Sequence, residues 1–225
     1  MENQYIIIVA GGTGSRMKTD VPKQFLEVGG EAIIIRTVRR FLEYDSEIRI
    51  IISVHKDFRI YTEELLLKSG LADRSIQLTE GGNTRFDSVK NGLLLIKDNS
   101  AIVGIHDAAR PFVSNQTISN CFKTAVNKGN AIPCIPVNES LRVTDQDLSQ
   151  AVKRDHYKVV QTPQCFRVSE IKEAFLQPYN PSFTDDATVL EFAGGTIHLV
   201  EGNIENIKIT SPFDLLIANA ILTNE

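Results

Sequence analysis

The sequence predicts an α/β fold, a Rossmann-like three-layer arrangement in which helices cover both faces of a mostly parallel sheet. Two observations support this prediction. Short apolar runs alternate along the chain with segments of helical period, which is typical of successive strand–helix–strand units. The runs YIIIVA at residues 5–10 and AIVGIH at residues 101–106 are apolar almost throughout, as strands buried on both faces are.

The elements of the first half follow in order from these periods. After the strand at residues 5–10, apolar residues recur at i, i+4, i+7 and i+8 from Ile34, which predicts a helix over residues 33–44. Further strands are predicted at residues 48–54, 75–79 and 101–106, and further helices at residues 57–69, 85–96 and 115–128.

The second half opens with a strand-like run at residues 130–135, after which the alternation stops. Residues 137–161 are polar, mixed in charge and without a strong helical period. We expect a β-arm that leaves the domain, of the kind that commonly reaches a partner subunit; an ordinary surface excursion fits the same residues. Beyond it, helices are predicted at residues 168–177, 184–193 and 212–223, and a strand at residues 196–200.

Length and composition restrict the class of protein. With 225 residues, of which 42% are hydrophobic, the chain can form one large domain with a full core. A net charge of −4 disfavours a general nucleic-acid binder, so no nucleic-acid partner is expected. Three cysteines without a CxxC pair favour a reducing cytoplasm over a disulfide framework or zinc site. We expect no signal peptide and no membrane span, since no apolar stretch approaches about 18 residues.

Three marked segments follow predicted strands. They are the glycine loop in VAGGTGSR, EGGNTRFDS at residues 80–88 and HDAARP at residues 106–111. In parallel sheets, ligands bind beyond the carboxyl ends of the strands. The three segments are therefore expected to meet at one ligand-binding edge.

The glycine loop carries features of a phosphate site. Its pattern is neither a Walker A loop nor the dinucleotide GxGxxG pattern, in which Met17 would be glycine. Arg16 and Lys23 follow the loop and suit a polyphosphate, and Pro22 stiffens the chain before the lysine. Solvated surface charges are the alternative interpretation of both cations.

The other two segments carry candidate ligands. Asp107 follows an apolar strand and could bind Mg²⁺ beside a triphosphate, or could cap a helix. Arg110 is a candidate partner for phosphate or carboxylate. Ser88 could read a base edge, or could simply be a helix-start residue.

The last quarter of the chain adds one more cation. Lys208 lies in an alternating run, predicted as a strand, where it either meets an anion at the ligand edge or protects a sheet edge. Asp185 and Asp186 are interpreted as the first turn of a helix capped by Thr184. Without a nucleophile or base constellation, we expect a reaction that depends on electrostatic stabilisation of phosphate.

Six motifs in order resemble one family, the 2-C-methyl-D-erythritol 4-phosphate cytidylyltransferases of the non-mevalonate isoprenoid pathway. They are AGGxGxRM…PKQF, GGxxRxxSVxxGL, HDAARPF, QTPQxF, TDDAxxxE and NIKxTxPxDL. The resemblance extends over residues 5–223. Ribitol-5-phosphate cytidylyltransferases share most of these motifs, but RFDSVKNGL and DAARP resemble the methylerythritol enzymes more closely.

The resemblance implies one nucleotidyltransferase domain that uses CTP and Mg²⁺. The 4-phosphate of methylerythritol phosphate attacks the α-phosphorus of CTP, and diphosphate leaves. It implies catalytic roles for Arg16, Lys23 and Lys208. The implied nucleotide-binding residues are Ala10, Gly11, Gly12, Gly14, Gly82, Asn83, Arg85 and Ser88. The implied acceptor-binding residues are Asp107, Arg110, Ser140, Arg154 and Thr184, with Asp107 also beside the metal.

The resemblance further implies a homodimer in which the arm crosses to a second subunit, so that Ser140 and Arg154 serve the neighbouring site. The arm departs from the family pattern, with Glu139-Ser140 and Arg142 where Asp-Thr and Lys are common. Two alternatives follow: an enzyme for another polyol phosphate, such as ribitol 5-phosphate, or a catalytically silent nucleotide-sensing subunit. Intact Arg16 and Lys23 argue against the second.

Two further departures lie in the implied nucleotide site. Gly11 stands where alanine is common, which we expect to relax the turn, and Asn83 replaces a common aspartate.

Overall fold

The computed structural model describes residues 3–12, 21–72, 74–146 and 148–223. It confirms the predicted α/β fold built on a mostly parallel sheet. Over these residues the strands, in chain order, are β1 (Gln4–Ala10), β2 (Glu27–Val28), β3 (Glu31–Ala32), β4 (Arg49–Val54), β5 (Ile76–Glu80), β6 (Ile102–Asp107), β7 (Asn130–Pro136), β8 (Arg142–Asp145), β9 (Leu148–Ala151), β10 (Lys158–Val160), β11 (Gln164–Arg167) and β12 (Leu199–Glu201).

The α-helices lie close to the predicted helical segments. In chain order they are α1 (Ile33–Tyr44), α2 (Arg59–Lys68), α3 (Arg85–Leu95), α4 (Asn115–Lys128), α5 (Val168–Ala174), α6 (Asp186–Phe192) and α7 (Pro212–Thr223). None of the helices in the described ranges combines the length and apolar character that crossing a membrane requires.

The main sheet has the strand order β10-β7-β11-β6-β1-β4-β5, and β12 pairs with β7 as well. Strands β4 and β6 flank β1 in parallel, and β5 pairs in parallel with β4. Strand β11 runs antiparallel between β6 and β7, and β10 is antiparallel to β7. The sequence did not predict β11, because its four residues QCFR are too few to display a period.

The sheet separates two apolar cores, and β1 contributes to both through its two-residue period. Ile6 and Ile8 pack on the side of α1 and α4, with Phe41 and Phe122. Ile7, one position away, packs on the opposite side, with α3, α5 and α6. This alternation explains why YIIIVA is apolar at almost every position.

The register of the parallel strands aligns their carboxyl ends at one edge. Ala10 is opposite Val54, Val54 is opposite Glu80, and Asp107 is opposite Val9. The loops that follow β1, β5 and β6 therefore begin side by side, as predicted for the three marked segments.

The second half shows the larger differences from prediction. The predicted arm contains a separate hairpin of β8 and β9, but residues 158–160 return to the main sheet as β10. Helix α5 ends at Ala174, three residues before the predicted end, and α6 begins at Asp186 rather than at residue 184.

Candidate functional site

A cavity of about 390 Å³ opens at the carboxyl edge of the sheet. All three marked segments contribute to it, together with Lys23, Gln24 and Lys208. Its lining includes Ala10, Gly11, Gly12, Lys23, Gln24, Gly82, Asn83, Arg85, Ser88, Asp107 and Lys208. The predicted nucleotide-binding residues that the structure describes are therefore brought together. Gly14 and Arg16 lie outside the described residues.

The described part of the glycine loop is held by a glutamine that sequence reasoning missed. Gln24 is buried, and its Nε2 donates to the carbonyl oxygens of Ala10 at 2.8 Å and Gly12 at 3.0 Å. A short 3-10 turn over Lys23–Phe25 places Lys23 beside this brace and at the cavity. The sequence offers only the position of Gln24 directly after Lys23 in PKQF, and its burial appears only in the structure.

The segment before α3 is organised by Ser88. Its hydroxyl accepts from the Gly82 N–H at 3.0 Å and donates to the Thr84 carbonyl at 2.9 Å. Thr84, not Ser88, caps α3, in a capping box with Asp87. Ser88 lies in the first turn of α3, as the helix-start interpretation has it, but it is not the cap, and its hydroxyl holds the preceding loop.

Gly11 matters because of this close approach. A Cβ at Gly11 would lie 2.8 Å from Ser88 Oγ. The backbone of Gly11 is not in the left-handed region, so this contact, and not the backbone conformation, requires glycine here. The absence of a side chain lets the first loop pack against the second.

Asp107 is the centre of a charge cluster. Its Oδ2 lies 2.9 Å from Lys208 Nζ and 3.2 Å from Arg110 Nε, and its Oδ1 lies 3.8 Å from Arg85 Nε. Burial alone would raise the pKa of Asp107, but Lys208, Arg85 and Arg110 together hold it far below its usual range. The carboxylate is therefore ionised, and the cluster keeps a net positive charge.

Asp107 does not cap a helix, because α4 begins only at Asn115 and its cap is Ser114. A turn follows Asp107 instead, with Arg110 N–H donating to the Asp107 carbonyl at 3.1 Å. The N-cap interpretation of Asp107 is wrong.

Arg85 joins the cluster to α6. Its Nη1 and Nη2 donate to the two carboxylate oxygens of Asp186 at 2.6 and 2.7 Å. The Asp186 side chain is 1% exposed, and burial raises the pKa of its carboxyl above the usual value although the guanidinium opposes that rise. Burial alone would lower the pKa of Arg85, but Asp186 raises it well above its ordinary value. The bidentate geometry, with both carboxylate oxygens accepting from the guanidinium, is that of an ion pair.

A second cavity, of about 240 Å³, lies on the other side of the cluster. Arg110, Gln161, Thr162, Gln164, Thr184 and Asp185 contribute to its lining. Arg85, Asp107 and Lys208 line both cavities, so these three side chains form a shared wall.

Lys208 reaches this wall from a segment that is not a strand. Residues 202–211 have no strand assignment, so the prediction of a strand here is wrong. The segment is fixed instead by the turn after β6. Ile209 N–H donates to the Ala109 carbonyl at 2.9 Å, and Arg110 Nη1 donates to the Asn206 carbonyl at 2.8 Å.

Thr184 is exposed and lines the second cavity, but it does not cap α6. The cap is Asp185, whose side chain accepts from the Thr188 N–H at 2.9 Å. Gln164 donates to Asp185 at 2.8 Å and accepts from the Ala187 N–H at 2.9 Å. The unpredicted strand β11 thus holds the start of α6 at the second cavity.

Ser140 and Arg154 do not line either cavity of their own chain. Both are exposed in the segment around the hairpin of β8 and β9, and the Arg154 guanidinium donates to the Asn138 carbonyl. The structure therefore does not bring these two predicted residues to the others within one chain.

The described residues do not fit a protein-held Mg²⁺ site. They contain no cluster of three or more His, Cys, Asp or Glu side chains that could hold a metal ion. Both oxygens of Asp107 face cationic side chains, and a metal ion there would have to displace them. The geometry does not favour Asp107 as a metal ligand.

Comparison with known proteins gives a consistent result. The model of the 2-C-methyl-D-erythritol 4-phosphate cytidylyltransferase family matches residues 4–224. The enzyme of that name from Phocaeicola vulgatus is 46% identical over 220 residues, which cover 98% of this chain and 100% of the relative. That from Bacteroides fragilis is 45% identical over 216 residues, covering 96% and 98% of the two chains.

Solved structures agree with these relatives. The crystal structure of 4-diphosphocytidyl-2C-methyl-D-erythritol synthase from Anaerococcus prevotii superimposes with a TM-score of 0.84 at 27% identity. The match covers 99% of this chain and 96% of the other.

Proposed function

The chain belongs to the 2-C-methyl-D-erythritol 4-phosphate cytidylyltransferase family, and we propose that its two joined cavities hold the two substrates of that reaction. The enzyme transfers CMP from CTP to 2-C-methyl-D-erythritol 4-phosphate, giving CDP-methylerythritol and diphosphate. The observation that carries the assignment of cavities is the shared wall of Arg85, Asp107 and Lys208. These three side chains border both cavities, so a phosphate group in either cavity lies beside the same cations.

CTP occupies the larger cavity in this proposal. Its triphosphate lies against the backbone N–H groups of Gly11 and Gly12 and beside Lys23, in a loop of the type that binds anions. Its cytosine lies towards Gly82, Asn83 and the start of α3. Gly11 packs closely against Ser88, so the loop assigned to the triphosphate and the loop assigned to the cytosine are held next to each other. This contact supports the binding of one CTP molecule across both loops.

The acceptor phosphate occupies the second cavity. Arg110 and Thr184 line it together with the shared wall. The three cations of the lining, Arg85, Arg110 and Lys208, outnumber the two carboxylates, Asp107 and Asp185, so an anionic group there meets a net positive surface. A phosphate oxygen of the acceptor attacks the α-phosphorus of CTP, and the bond from that phosphorus to the bridging oxygen of the β-phosphate breaks. Diphosphate carries away the electron pair.

Fixed cations supply the catalysis. The attacking phosphate oxygen is already anionic at pH 7, since the second pKa of a phosphate monoester is about 6, so no general base is required. Negative charge grows on the oxygens around the α-phosphorus, and we assign Lys23, Lys208 and Arg16 to its stabilisation. Asp107 keeps Lys208 in place without cancelling the positive charge of the cluster.

We propose that Mg²⁺ is bound by the triphosphate oxygens of CTP rather than by a protein cage. Mg²⁺ commonly keeps few protein ligands at phosphate sites. The cations around Asp107 support this assignment, because they already satisfy the one predicted metal ligand. We also place the reaction in the cytoplasm, which the free thiols of Cys121, Cys134 and Cys165 support.

We propose a homodimer in which the arm completes the second cavity of the partner. Apolar Val143 and Leu148 are 54% and 76% exposed on the hairpin, as expected of a surface that a partner covers. Ser140 and Arg154 do not line their own chain's cavities, which also supports exchange. The remainder of residues 1–225 acts as one domain, built on the continuous main sheet.

Mixed dimers test the exchange. A dimer of Lys23→Ala and Arg154→Ala chains contains one site with both defects and one intact site. We expect about half of the wild-type activity per dimer, whereas each homodimer is nearly inactive. Inactive mixed dimers would show that each chain uses its own Arg154.

The reaction itself is tested by diphosphate release from CTP and Mg²⁺. Methylerythritol 4-phosphate and ribitol 5-phosphate are compared at equal concentration as acceptors. We expect a strong preference for the former. Equal or faster turnover of ribitol 5-phosphate would reassign the acceptor, and tight CTP binding without turnover of either would indicate a nucleotide-sensing subunit.

A further inference from the structure

His106 is a buried histidine next to the charge cluster that the reaction does not use. It is 0% exposed and lines neither cavity. Its ring packs edge-on against Phe41, with the centroids 4.9 Å apart. A histidine that only filled the core could be replaced by an apolar residue, but both ring nitrogens of His106 have polar partners.

The partners fix the tautomer. Nε2 lies 3.0 Å from the Arg110 carbonyl oxygen, which can only accept, so Nε2 carries the proton. Nδ1 lies 3.0 Å from Thr162 Oγ1. Because a neutral ring with Nε2–H has a bare Nδ1, the threonine hydroxyl donates to it.

The threonine then faces Asp107. Thr162 Oγ1 accepts from the Asp107 N–H at 3.1 Å while it donates to His106. The result is one directional chain: Asp107 N–H to Thr162, Thr162 to His106, and His106 to the Arg110 carbonyl. It connects the two ends of the turn 107–110, whose side chains form the charge cluster.

We propose that His106 is a positioning residue which, as the neutral Nε2–H imidazole and acting through Thr162, holds Asp107 and Arg110 in the orientation that the shared wall requires. The inference rests on the proposed function, because it assigns the turn 107–110 to the acceptor phosphate. It adds a residue that touches neither substrate. The predicted consequence of breaking the chain is a misplaced Asp107 carboxylate and, with it, a misplaced Lys208.

Kinetics provide the first test. Thr162→Val keeps the shape but removes the hydroxyl, and Thr162→Ser is the matched control that keeps it. We expect Thr162→Val to lower kcat/KM for the acceptor by about 10- to 100-fold, the scale of a displacement of about 1 Å. Thr162→Ser should stay within about threefold of wild type.

Thr162 itself lines the second cavity, so the His106 variants separate positioning from direct contact. His106→Leu removes both the donor for the Arg110 carbonyl and the acceptor for Thr162, whereas His106→Gln keeps an amide donor and acceptor but not their spacing in the imidazole ring. We expect losses similar to that of Thr162→Val. The double variant His106→Gln/Thr162→Val should be no worse than the worse single one, because both break the same chain. Multiplied losses, or near-normal acceptor kinetics in a folded His106→Leu protein, would overturn the proposal.

A spectroscopic readout does not depend on turnover. In protein labelled with ¹⁵N-histidine, the His106 signals are identified by their loss in His106→Gln. We expect a protonated Nε2 and a bare Nδ1 between pH 6 and 8, with the Nδ1 shift changed in Thr162→Val. An Nδ1–H tautomer would refute the chain, whereas the expected tautomer in a protein inactive on all acceptors would retain the chain and refute the proposed function.

Discussion

Arg85→Met should destabilise the protein by about 3–5 kcal/mol, because it leaves the Asp186 carboxyl buried without its counter-charge. The Asp186 side chain is 1% exposed and receives two guanidinium bonds, at 2.6 and 2.7 Å. Methionine approximates the aliphatic part of arginine but donates no hydrogen bond. For a chain of this size, 1 kcal/mol corresponds to about 2–4 °C in Tm, so the expected decrease is about 6–20 °C.

The loss of stability in Arg85→Met should depend on pH in a defined direction. Burial already raises the pKa of Asp186, and without the guanidinium that opposes this rise the pKa increases further. The folded variant then holds a proton that the unfolded chain releases above about pH 4. The destabilisation therefore becomes larger as the pH rises through the raised pKa, and smaller towards pH 5.

Thermal unfolding by circular dichroism at pH 5 and pH 8, without CTP, measures both effects. Arg85→Met/Asp186→Asn is the matched control, since it removes both charges and should recover much of the stability. Arg85→Lys keeps a charge but not the bidentate geometry and should fall between wild type and Arg85→Met. A decrease below about 2 °C for Arg85→Met, with additive effects in the double variant, would refute the reasoning.

Three further predictions concern the site. Lys23→Ala should slow the chemical step by at least about 10²-fold in single-turnover experiments, as expected for a lost transition-state donor, and near-normal rates would remove Lys23 from catalysis. Gln24→Leu removes the brace on the Ala10 and Gly12 carbonyls and should weaken CTP binding about tenfold by calorimetry with little effect on acceptor KM. Burial lowers the pKa of His106 from 6.5 to about 4, so about 3 kcal/mol of stability should be lost as pH falls through that window. Urea unfolding at pH 7 and pH 4.5 should show a smaller difference for His106→Gln than for wild type.

Most of the fold could be predicted because its central strands are continuous apolar runs and helices such as α1 show a clear hydrophobic period. The runs that form β1, β4 and β6 are apolar at almost every position because both faces of these strands are buried, and such runs are visible in the sequence itself. Strand β11 could not be predicted, since its four residues become a strand only through β6 and β7 on either side. The prediction of Lys208 in a strand failed for a similar reason: its segment is held by hydrogen bonds to the turn after β6 rather than by a sheet.

The loops of the site could be predicted, whereas the side-chain contacts that hold them together could not. Glycines and cations that follow strands indicate a phosphate site, because chain direction alone places them at one edge. The pairing of Arg85 with Asp186 joins residues 101 positions apart, and no local pattern reports it. The brace by Gln24 and the chain through His106 depend likewise on distances that exist only after folding.

The position of β11 has a consequence for how the protein is made. Strands β6 and β7 are synthesised first, but one edge of β6 and the start of β7 stay unpaired until residues 164–167 leave the ribosome and enter between them. A nascent chain that stops before this point exposes two rows of free backbone groups, the arrangement that invites pairing with other chains. The final quarter of the polypeptide therefore closes the sheet during synthesis, and premature termination upstream of Gln164 should give aggregates rather than a smaller folded protein.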